Sequence, residues 1–542
     1  MAVRRLGQSV TDLLRQRSTI PPVKRLCNAQ QRGFADSPEQ KDVNGIPVEV
    51  HTPTGERKFR VVVTKDLPGD RWLQMLLKSG CQVDICKHSD TILSQNTIKT
   101  LMAADETHGV LGQLTEQWDS TLFEALSKAG GSVYSNYAVG YNNVVVPDAN
   151  KHGIAVGNTP GVLTETTAEL ALSLTFAAAR RIVEADKFMR GGQYEGWLPN
   201  LFVGNLLQRK TVGIVGAGRI GSAYARMMME GHKCNLVYFD PYPNKFLEDY
   251  VAHYNKVLEH AKEETVSIRR LETVEEVLKE SDVVSLHCAL TDETKHLINS
   301  ERLSIMKPWA VLVNASRGPV IDEAALVKHL QQNPDFRAGL DVFEDEPNMK
   351  PGLAECENCV IVPHIASASF WTRAGMATLA ACNVVAVLKQ QPTTSQSMLS
   401  FVDSPFDKIP GEAPSIVNAK DLPKDKFPQY SKTREAELQL QTLRTAFQAK
   451  DKDFRALVAN TKREDHRLVK EIADCTDRAK TLRKRRDVLQ AEAVQRRAAA
   501  AQGHRSNSRP VSERSDAVAE RRATLPALRV TNPQPYTFPQ TP

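Results

Sequence analysis

No stretch of this chain is apolar for long enough to cross a bilayer. The longest mostly apolar run, residues 171–179 and their neighbours, falls far short of the roughly 20 residues a spanning helix needs, so a soluble protein is expected. Cysteine is sparse, at nine in 542 residues, and scattered, which excludes a disulfide framework and fits a reducing compartment. Cys356 and Cys359 form a CxxC, but no second pair stands at zinc-ribbon spacing, so the two read as ordinary thiols and no metal site is expected. Excess positive charge is missing from the middle of the chain. Residues 1–35 carry seven Arg and Lys against one acid, and residues 431–542 carry 24 against 14. Residues 36–430 are left with ten more acids than bases. That balance argues against a nucleic-acid-binding core and confines any affinity for polyanions to the two ends. Glycine and proline are absent from residues 431–502.

What is present reads as several domains between unusual ends. Residues 1–35 are rich in Arg, Ser, Thr and Gln. Their composition predicts an organellar transit peptide, mitochondrial in character, with "RGFA" at 32–35 as a cleavage region; the alternative is a disordered basic arm. From Lys58 strands alternate with helices: "FRVVVTK" (59–65), "RWLQMLLKSG" (71–80), "QVDIC" (82–86), "THGVLGQL" (107–114) and "GSVYSNYAVGYNNV" (131–144). One long buried helix is expected from Thr164 to Met189. A second series of Val/Ile/Leu strands follows: 211–216, 235–240, 283–288, 310–316, 336–343 and 359–365. This indicates a parallel sheet covered on both faces. The helix expected at 369–391 crosses back to the first unit. In 431–502, Leu440, Phe447, Phe454, Thr461, Leu468, Cys475, Leu482 and Leu489 recur every seven residues, but the second heptad seam fails. A long helix with a weak coiled-coil tendency is expected, then a disordered tail at 503–542.

Gly216-Ala217-Gly218-Arg219-Ile220-Gly221 is a GxGxxG between a buried strand and a helix, and the next strand ends in Asp240. Gly216 allows a tight turn, Gly218 lets backbone approach a pyrophosphate, and Gly221 allows close helix–strand packing. The helix N-terminus adds partial positive charge. Asp240 can accept hydrogen bonds from both ribose hydroxyls and would repel a 2′-phosphate, so NAD(H) is expected in preference to NADP(H). A dinucleotide site does not name a reaction.

Reduction of a 2-oxo acid also needs a cation for the substrate carboxylate and a proton donor held in its charged form. Arg317 follows a buried strand in "NASRGPVID", and its planar fork suits a carboxylate. "GLDVFEDEP" (339–347) ends a strand with four acids, and His364 ends another in "VPHIASAS". A carboxylate beside a histidine favours the imidazolium.

These residues, with "SNYAVGYNNV", "NTPGVLTETTAELALSLTFAAARRI", "YEGWLPNLFVG" and "NASRGPVIDEAALVKHL", resemble the D-isomer-specific 2-hydroxyacid dehydrogenases. Within them they are most similar to the NADH-dependent hydroxypyruvate reductases of plants and algae. The resemblance covers roughly residues 58–420. It implies an α/β fold in which a Rossmann nucleotide-binding domain (164–363) is inserted into a flavodoxin-like substrate domain (58–163 and 364–421), with the cleft between them. It also implies a homodimer and a small 2-oxo or 2-hydroxy acid as substrate. Residue by residue, Arg317 matches the substrate-anchoring arginine, Glu346 the acid paired with the histidine, and His364 the general acid/base. Val139 and Gly140 match the loop whose N–H groups meet the substrate carboxylate. Thr166, Arg219, Ile220, Asp240, Ala315 and Asp341 match cofactor contacts, Asp341 lying near the nicotinamide amide.

Two features depart from the family. Its plant members end in Ser-Lys-Leu soon after a segment like "SIVNAKDL" (415–422), whereas this chain runs on to "PQTP". With the basic leader, this shifts the expected address from peroxisome to mitochondrion. The family does not account for the tail either, whose residues 478–498 carry eight basic side chains against two acids and could dock on an acidic partner. The competing functional reading is a binding module, since some relatives on this fold act as NAD-sensing corepressors; the acidic body speaks against it.

Overall fold

The computed structural model describes residues 38–88, 91–393, 413–423 and 426–427, and residues 477, 480, 481, 484–486 and 488 of the tail. The expected transit peptide and the expected disordered end at 503–542 lie outside the described residues, as does nearly all of the heptad segment. The described tail residues are helical and exposed.

The first lobe is built from β1 (Glu39–Val43), β2 (Ile46–His51), β3 (Phe59–Val63), α1 (Arg71–Lys78), β4 (Cys81–Cys86), α2 (Gln95–Ala103), β5 (Gly109–Gly112), α3 (Ser120–Lys128), β6 (Val133–Asn136), α4 (Val146–Lys151) and β7 (Ala155–Gly157). Its sheet runs β1-β2-β4-β3-β5-β6-β7. The five strands from β4 to β7 are parallel and take the 2-1-3-4-5 order of flavodoxin-like folds. The period-two alternation of a strand explains how one sheet serves two cores. Val61 and Val63 face a cluster with α1, while Val62 faces Ile98, Leu101, Leu122 and Phe123 on α2 and α3. All three valines are 0–1% exposed, and burial of each stabilises the lobe by about 1.5–3 kcal/mol.

The second lobe comprises α5 (Thr164–Ala179), α6 (Ile182–Arg190), β8 (Thr211–Val215), α7 (Arg219–His232), β9 (Asn235–Phe239), α8 (Lys245–His260), β10 (Ile268–Arg270), α9 (Val274–Glu280), β11 (Val283–Leu286), α10 (Ser300–Ser304), β12 (Val311–Asn314), α11 (Glu323–Gln332), β13 (Arg337–Leu340) and β14 (Cys359–Ile361). Its seven strands are all parallel, in the order β10-β9-β8-β11-β12-β13-β14. Counted from β8 this is the doubly wound Rossmann order, whose ligands bind beyond the carboxyl ends of the strands. α12 (Phe370–Leu388) then returns to the first lobe and packs on α1, β5 and β6.

Three local expectations are corrected. The β1–β2 hairpin adds to the expected elements, because "EQKDV" is exposed and lacks an apolar pattern. The helix expected from Thr164 to Met189 is two helices, with Arg181 at φ +56° between them. The chain returning at Gly204–Asn205 stops the first helix: Asn205 N–H donates to Ala179 O at 2.9 Å, and a Cβ on Gly204 would stand 2.4 Å from that oxygen. Finally, α12 has 19 residues of mean hydropathy 1.3, enough by length and composition to cross a membrane, but 83% of it is buried inside the protein.

Candidate active site

The carboxyl ends of the second sheet's strands bring the chemistry together. After β8 the chain turns at Gly216, φ +94°, where a Cβ would meet Cys288 N at 2.7 Å. Only glycine fits this turn. A Cβ on Gly221 would lie 2.1 Å from Gly216 O, so α7 leaves the turn in direct contact with it. Around Gly218 there is open space, with nothing within 4 Å of a Cβ built there, and no side chain caps α7. The helix end is therefore free to receive an anion. The Asp240 carboxylate is oriented beside it, accepting from Ala217 N–H at 2.9 Å and Tyr242 N–H at 3.0 Å. These residues fit a dinucleotide: a cradle with room for phosphates, and a carboxylate at ribose distance along the next strand.

Arg317 follows β12. Asn314 holds its backbone, donating from Nδ2 to Arg317 O at 2.9 Å. The guanidinium donates to Ser316 O at 2.6 Å and Asn142 Oδ1 at 3.4 Å, and forms no ion pair among the described residues. It lies against Gly140, where a Cβ would sit 1.6 Å from Nη2. Burial lowers its pKa, opposed by the charge of Glu346, yet arginine stays protonated in proteins. The result is a partly buried cation in no ion pair among the described residues, whose natural complement is an anion arriving from outside. Val139 and Gly140 donate their N–H groups to no protein acceptor among the described residues.

His364 follows β14 at φ +51°, its N–H bonded to Asp341 O at 2.9 Å. Its Nδ1 lies 2.9 Å from Glu346 Oε2, while Glu346 Oε1 accepts from Phe343 N–H at 3.0 Å. Burial tends to raise the Glu346 pKa, but the hydrogen bond and charge of His364, Phe343 N–H and Arg317 together bring it below the usual value. A carboxylate only accepts, so the proton between the two sits on Nδ1 and Nε2 is left for other work. The carboxylate form, and with it this pairing, persists above the ordinary Glu pKa and is lost as pH falls through the lowered one. Gly318 admits the acidic loop to the site, for a Cβ there would lie 1.8 Å from Phe343 O.

Arg317, His364, Gly140, Asn142 and Leu114 all line two adjoining cavities, of about 470 and 700 Å³. Val139, Ile220 and Ala315 line the first and Glu346 the second. Gly218 and Arg219 are exposed on the cradle side. Two expected cofactor contacts are placed otherwise. Thr166 is turned away from the cavity, its hydroxyl 2.5 Å from that of Thr372, and Thr167 takes the lining position, because one helical step of about 100° separates the two side chains. Asp341 is fully buried; its oxygens accept from Ile365 N–H at 2.6 Å and Ala366 N–H at 3.0 Å, and burial raises its pKa. It fixes the loop that carries His364 instead of facing the cavity. Asn142 and Asn314 are site residues not singled out from the sequence; both lie inside quoted motifs, but only the fold aims them at Arg317. Among the described residues no group of three or more His, Cys, Asp or Glu could hold a metal.

A Rossmann-ordered lobe that carries a free helix end, a partly buried arginine and a carboxylate-paired histidine at the same end of its sheet defines a dinucleotide-dependent dehydrogenase class. Residues 172–366 match the family model described as D-isomer specific 2-hydroxyacid dehydrogenase, NAD binding domain. The chain is 60% identical over 382 residues to the peroxisomal glycerate dehydrogenase HPR of Arabidopsis thaliana, covering 70% of this chain and 97% of that one. It is also 60% identical over 379 residues to the glycerate dehydrogenase of Cucumis sativus, covering 70% and 98%. Among solved structures, a protein from Thermus thermophilus superposes with a TM-score of 0.53 at 36% identity, over 61% of this chain and 97% of its own. The Sinorhizobium meliloti NADPH-dependent glyoxylate/hydroxypyruvate reductase does so with 0.50 at 29% identity, over 61% and 94%. The chain belongs to the D-isomer specific 2-hydroxyacid dehydrogenases.

Proposed function

We propose that the chain reduces hydroxypyruvate to D-glycerate with NADH, consuming one proton and releasing NAD⁺, and that it reduces glyoxylate to glycolate more slowly. The observation that carries this reading is the Arg317 guanidinium, partly buried beside Gly140 and in no ion pair among the described residues, in the same cleft as His364. Arg317 and the Val139–Gly140 N–H groups hold the substrate carboxylate, and Arg317 polarises the adjacent carbonyl. The Gly216–Gly221 turn and Asp240 would hold the pyrophosphate and adenosine ribose of the dinucleotide, which when bound would supply the hydride. His364, charged and oriented through Nδ1 by Glu346, delivers the proton from Nε2 to the carbonyl oxygen. NADH oxidation with a panel of 2-oxo acids tests the assignment; turnover confined to acids other than hydroxypyruvate and glyoxylate would overturn it.

Asp240 supports NADH over NADPH, because a carboxylate repels the 2′-phosphate. The NADPH dependence of the Sinorhizobium enzyme is a reminder that the fold alone does not set this preference. Asp240→Ala is expected to shift the NADH/NADPH ratio of kcat/KM by about tenfold or more, the equivalent of one lost charge interaction; an unchanged ratio would count against the ribose role.

We also infer a homodimer, a tail that serves attachment and not catalysis, and import directed by residues 1–35. The arm from α6 to Leu206 presents Met189, Trp197, Leu198, Val203 and Leu206 at 56–80% exposure, and α6 buries none of its residues in its own chain. Such a patch marks an interface. Lys484, Arg485 and Arg486 are exposed on the tail helix and suit an acidic partner. The Arabidopsis relative is named peroxisomal, whereas the basic leader favours mitochondria. A chain trimmed to residues 36–430 is expected to keep its kinetic constants and sediment as a dimer, and in cells to lose co-fractionation with mitochondria. Collapse of activity would place the tail in the catalytic assembly.

A further inference from the structure

Glu116 is a buried carboxyl that the chemistry above leaves unused. It sits in the turn between β5 and α3, 2% exposed. Its Oε2 accepts from Trp118 Nε1 at 3.2 Å, and the Trp118 ring stacks on Tyr134 with centroids 3.9 Å apart. The carboxyl occupies space that Gly112 leaves open: a Cβ there would lie 2.6 Å from Glu116 Oε2.

From this turn a continuous set of hydrogen bonds runs to the substrate side of the cleft. Asn143 Nδ2 donates to Glu116 O at 2.9 Å and to Gln113 O at 3.2 Å. Asn143 Oδ1 accepts from Asn136 Nδ2 at 3.2 Å, and the same Nδ2 donates to Gly140 O at 3.0 Å. Tyr134 OH donates to Asn136 Oδ1 at 3.0 Å. Asn136 and Asn143 are 0% and 8% exposed, so the set is sheltered from water and its members depend on one another. The turn also carries Leu114, Thr115 and Gln117 into the cavity wall.

We propose that Glu116 is a positioning residue: its carboxyl, packed where Gly112 leaves space and bonded to Trp118 Nε1, fixes the turn whose Glu116 and Gln113 main-chain carbonyls hold Asn143, and Asn143 and Asn136 in turn set the Val139–Gly140 backbone against the substrate carboxylate. This rests on the reading of Val139 and Gly140 as the carboxylate cradle. Burial pushes the Glu116 carboxyl up to about 7, the Thr64 hydroxyl, the Gln113 backbone, Trp118 and Lys65 opposing it only in part. The other titratable groups facing it are the Tyr134 phenol on β6 and the Cys86 thiol on β4, both raised by burial and therefore neutral. The sign follows. Below about pH 7 the carboxyl is neutral and its burial costs less than that of the anion. As pH rises through 7 it becomes a buried anion, and the turn and the cradle tied to it are disturbed.

The test compares KM and kcat for hydroxypyruvate at saturating NADH, between pH 6 and 8.5, in the wild type, Glu116→Gln and Glu116→Ala. Glutamine keeps the shape and cannot ionise. The ratio of wild-type to Gln KM is expected to rise about threefold or more across this range while the kcat ratio stays within about twofold, the pattern of lost ground-state binding. Any pH dependence arising outside Glu116 is common to both proteins and cancels in the ratio. Glu116→Ala is expected to raise KM about fivefold at every pH; should it not fold, the Gln comparison still decides. A flat KM ratio, or a loss confined to kcat, would refute the positioning role. If the wild type does not reduce hydroxypyruvate, the substrate assignment fails by itself, and the same ratios are read with whichever 2-oxo acid it does reduce.

Discussion

Alanine at position 364 is expected to lower kcat for hydroxypyruvate by about three orders of magnitude while NADH binding stays within about twofold of the wild type. The His364 imidazole lines the cavity and can carry a proton on Nε2, its Nδ1 being committed to Glu346 at 2.9 Å. Its loss removes general acid catalysis, for which about 10²–10⁴-fold is typical, and leaves Arg317 to polarise a carbonyl that nothing protonates. The proposed cofactor cradle, Gly216–Gly221 with Asp240, is separate from the His364–Glu346 pair, so binding should survive. Steady-state rates and a fluorescence titration with NADH read the two quantities separately. Near-normal turnover would remove His364 from the chemistry; equal losses of rate and NADH affinity would mean that the loop after β14 had collapsed.

The second large effect is expected from a substitution that keeps the charge. Arg317→Lys should reduce kcat/KM for hydroxypyruvate by about 10²–10³-fold, with both constants worsening. The guanidinium meets Gly140 through Nη2 and is anchored through Nη1 to Ser316 O, and its fixed planar array of N–H donors suits a carboxylate. An ammonium on a flexible stem offers a point charge and no such geometry. Both constants worsen because one group anchors the substrate and withdraws electron density from the carbonyl. Activity within threefold of wild type would show that charge alone suffices and that the fork is incidental.

These positions were readable in the sequence for a physical reason. Strands of a covered parallel sheet are continuous runs of branched apolar residues, as in Thr211–Val215 and Val311–Asn314, and ligands gather where such runs end. Arg317, His364 and the four acids of "GLDVFEDEP" could therefore be assigned to one end of one sheet without coordinates, while the choice of Glu346 among those acids came from the family resemblance. Features made by distant pieces of chain were not readable. The break after Ala179 depends on Asn205 capping a carbonyl 26 residues away, and nothing between Thr164 and Met189 is a glycine or proline. The choice between Thr166 and Thr167 turns on the rotation of a helix about its own axis, which the motif does not record. Asp341 stands in a motif of the family, yet only the fold shows its oxygens turned onto the loop after His364. Glu116 looks like one more surface acid beside Gln117, and only the stacking of Trp118 on Tyr134 encloses it.

The chain passes between the two lobes twice, at residues 158–163 and again at 365–369, and the Thr166 hydroxyl on one side of this crossing meets Thr372 on the other. A body joined by a single strand can swivel; one joined by two adjacent strands, cross-tied at their roots, swings only like a door on paired pins. His364 stands at the foot of the second pin. Its backbone is tied to Asp341 of the second lobe whereas Gly140 belongs to the first, so any change in the angle between the lobes would alter the separation of Gly140 from the proton donor and leave the donor's own mooring intact.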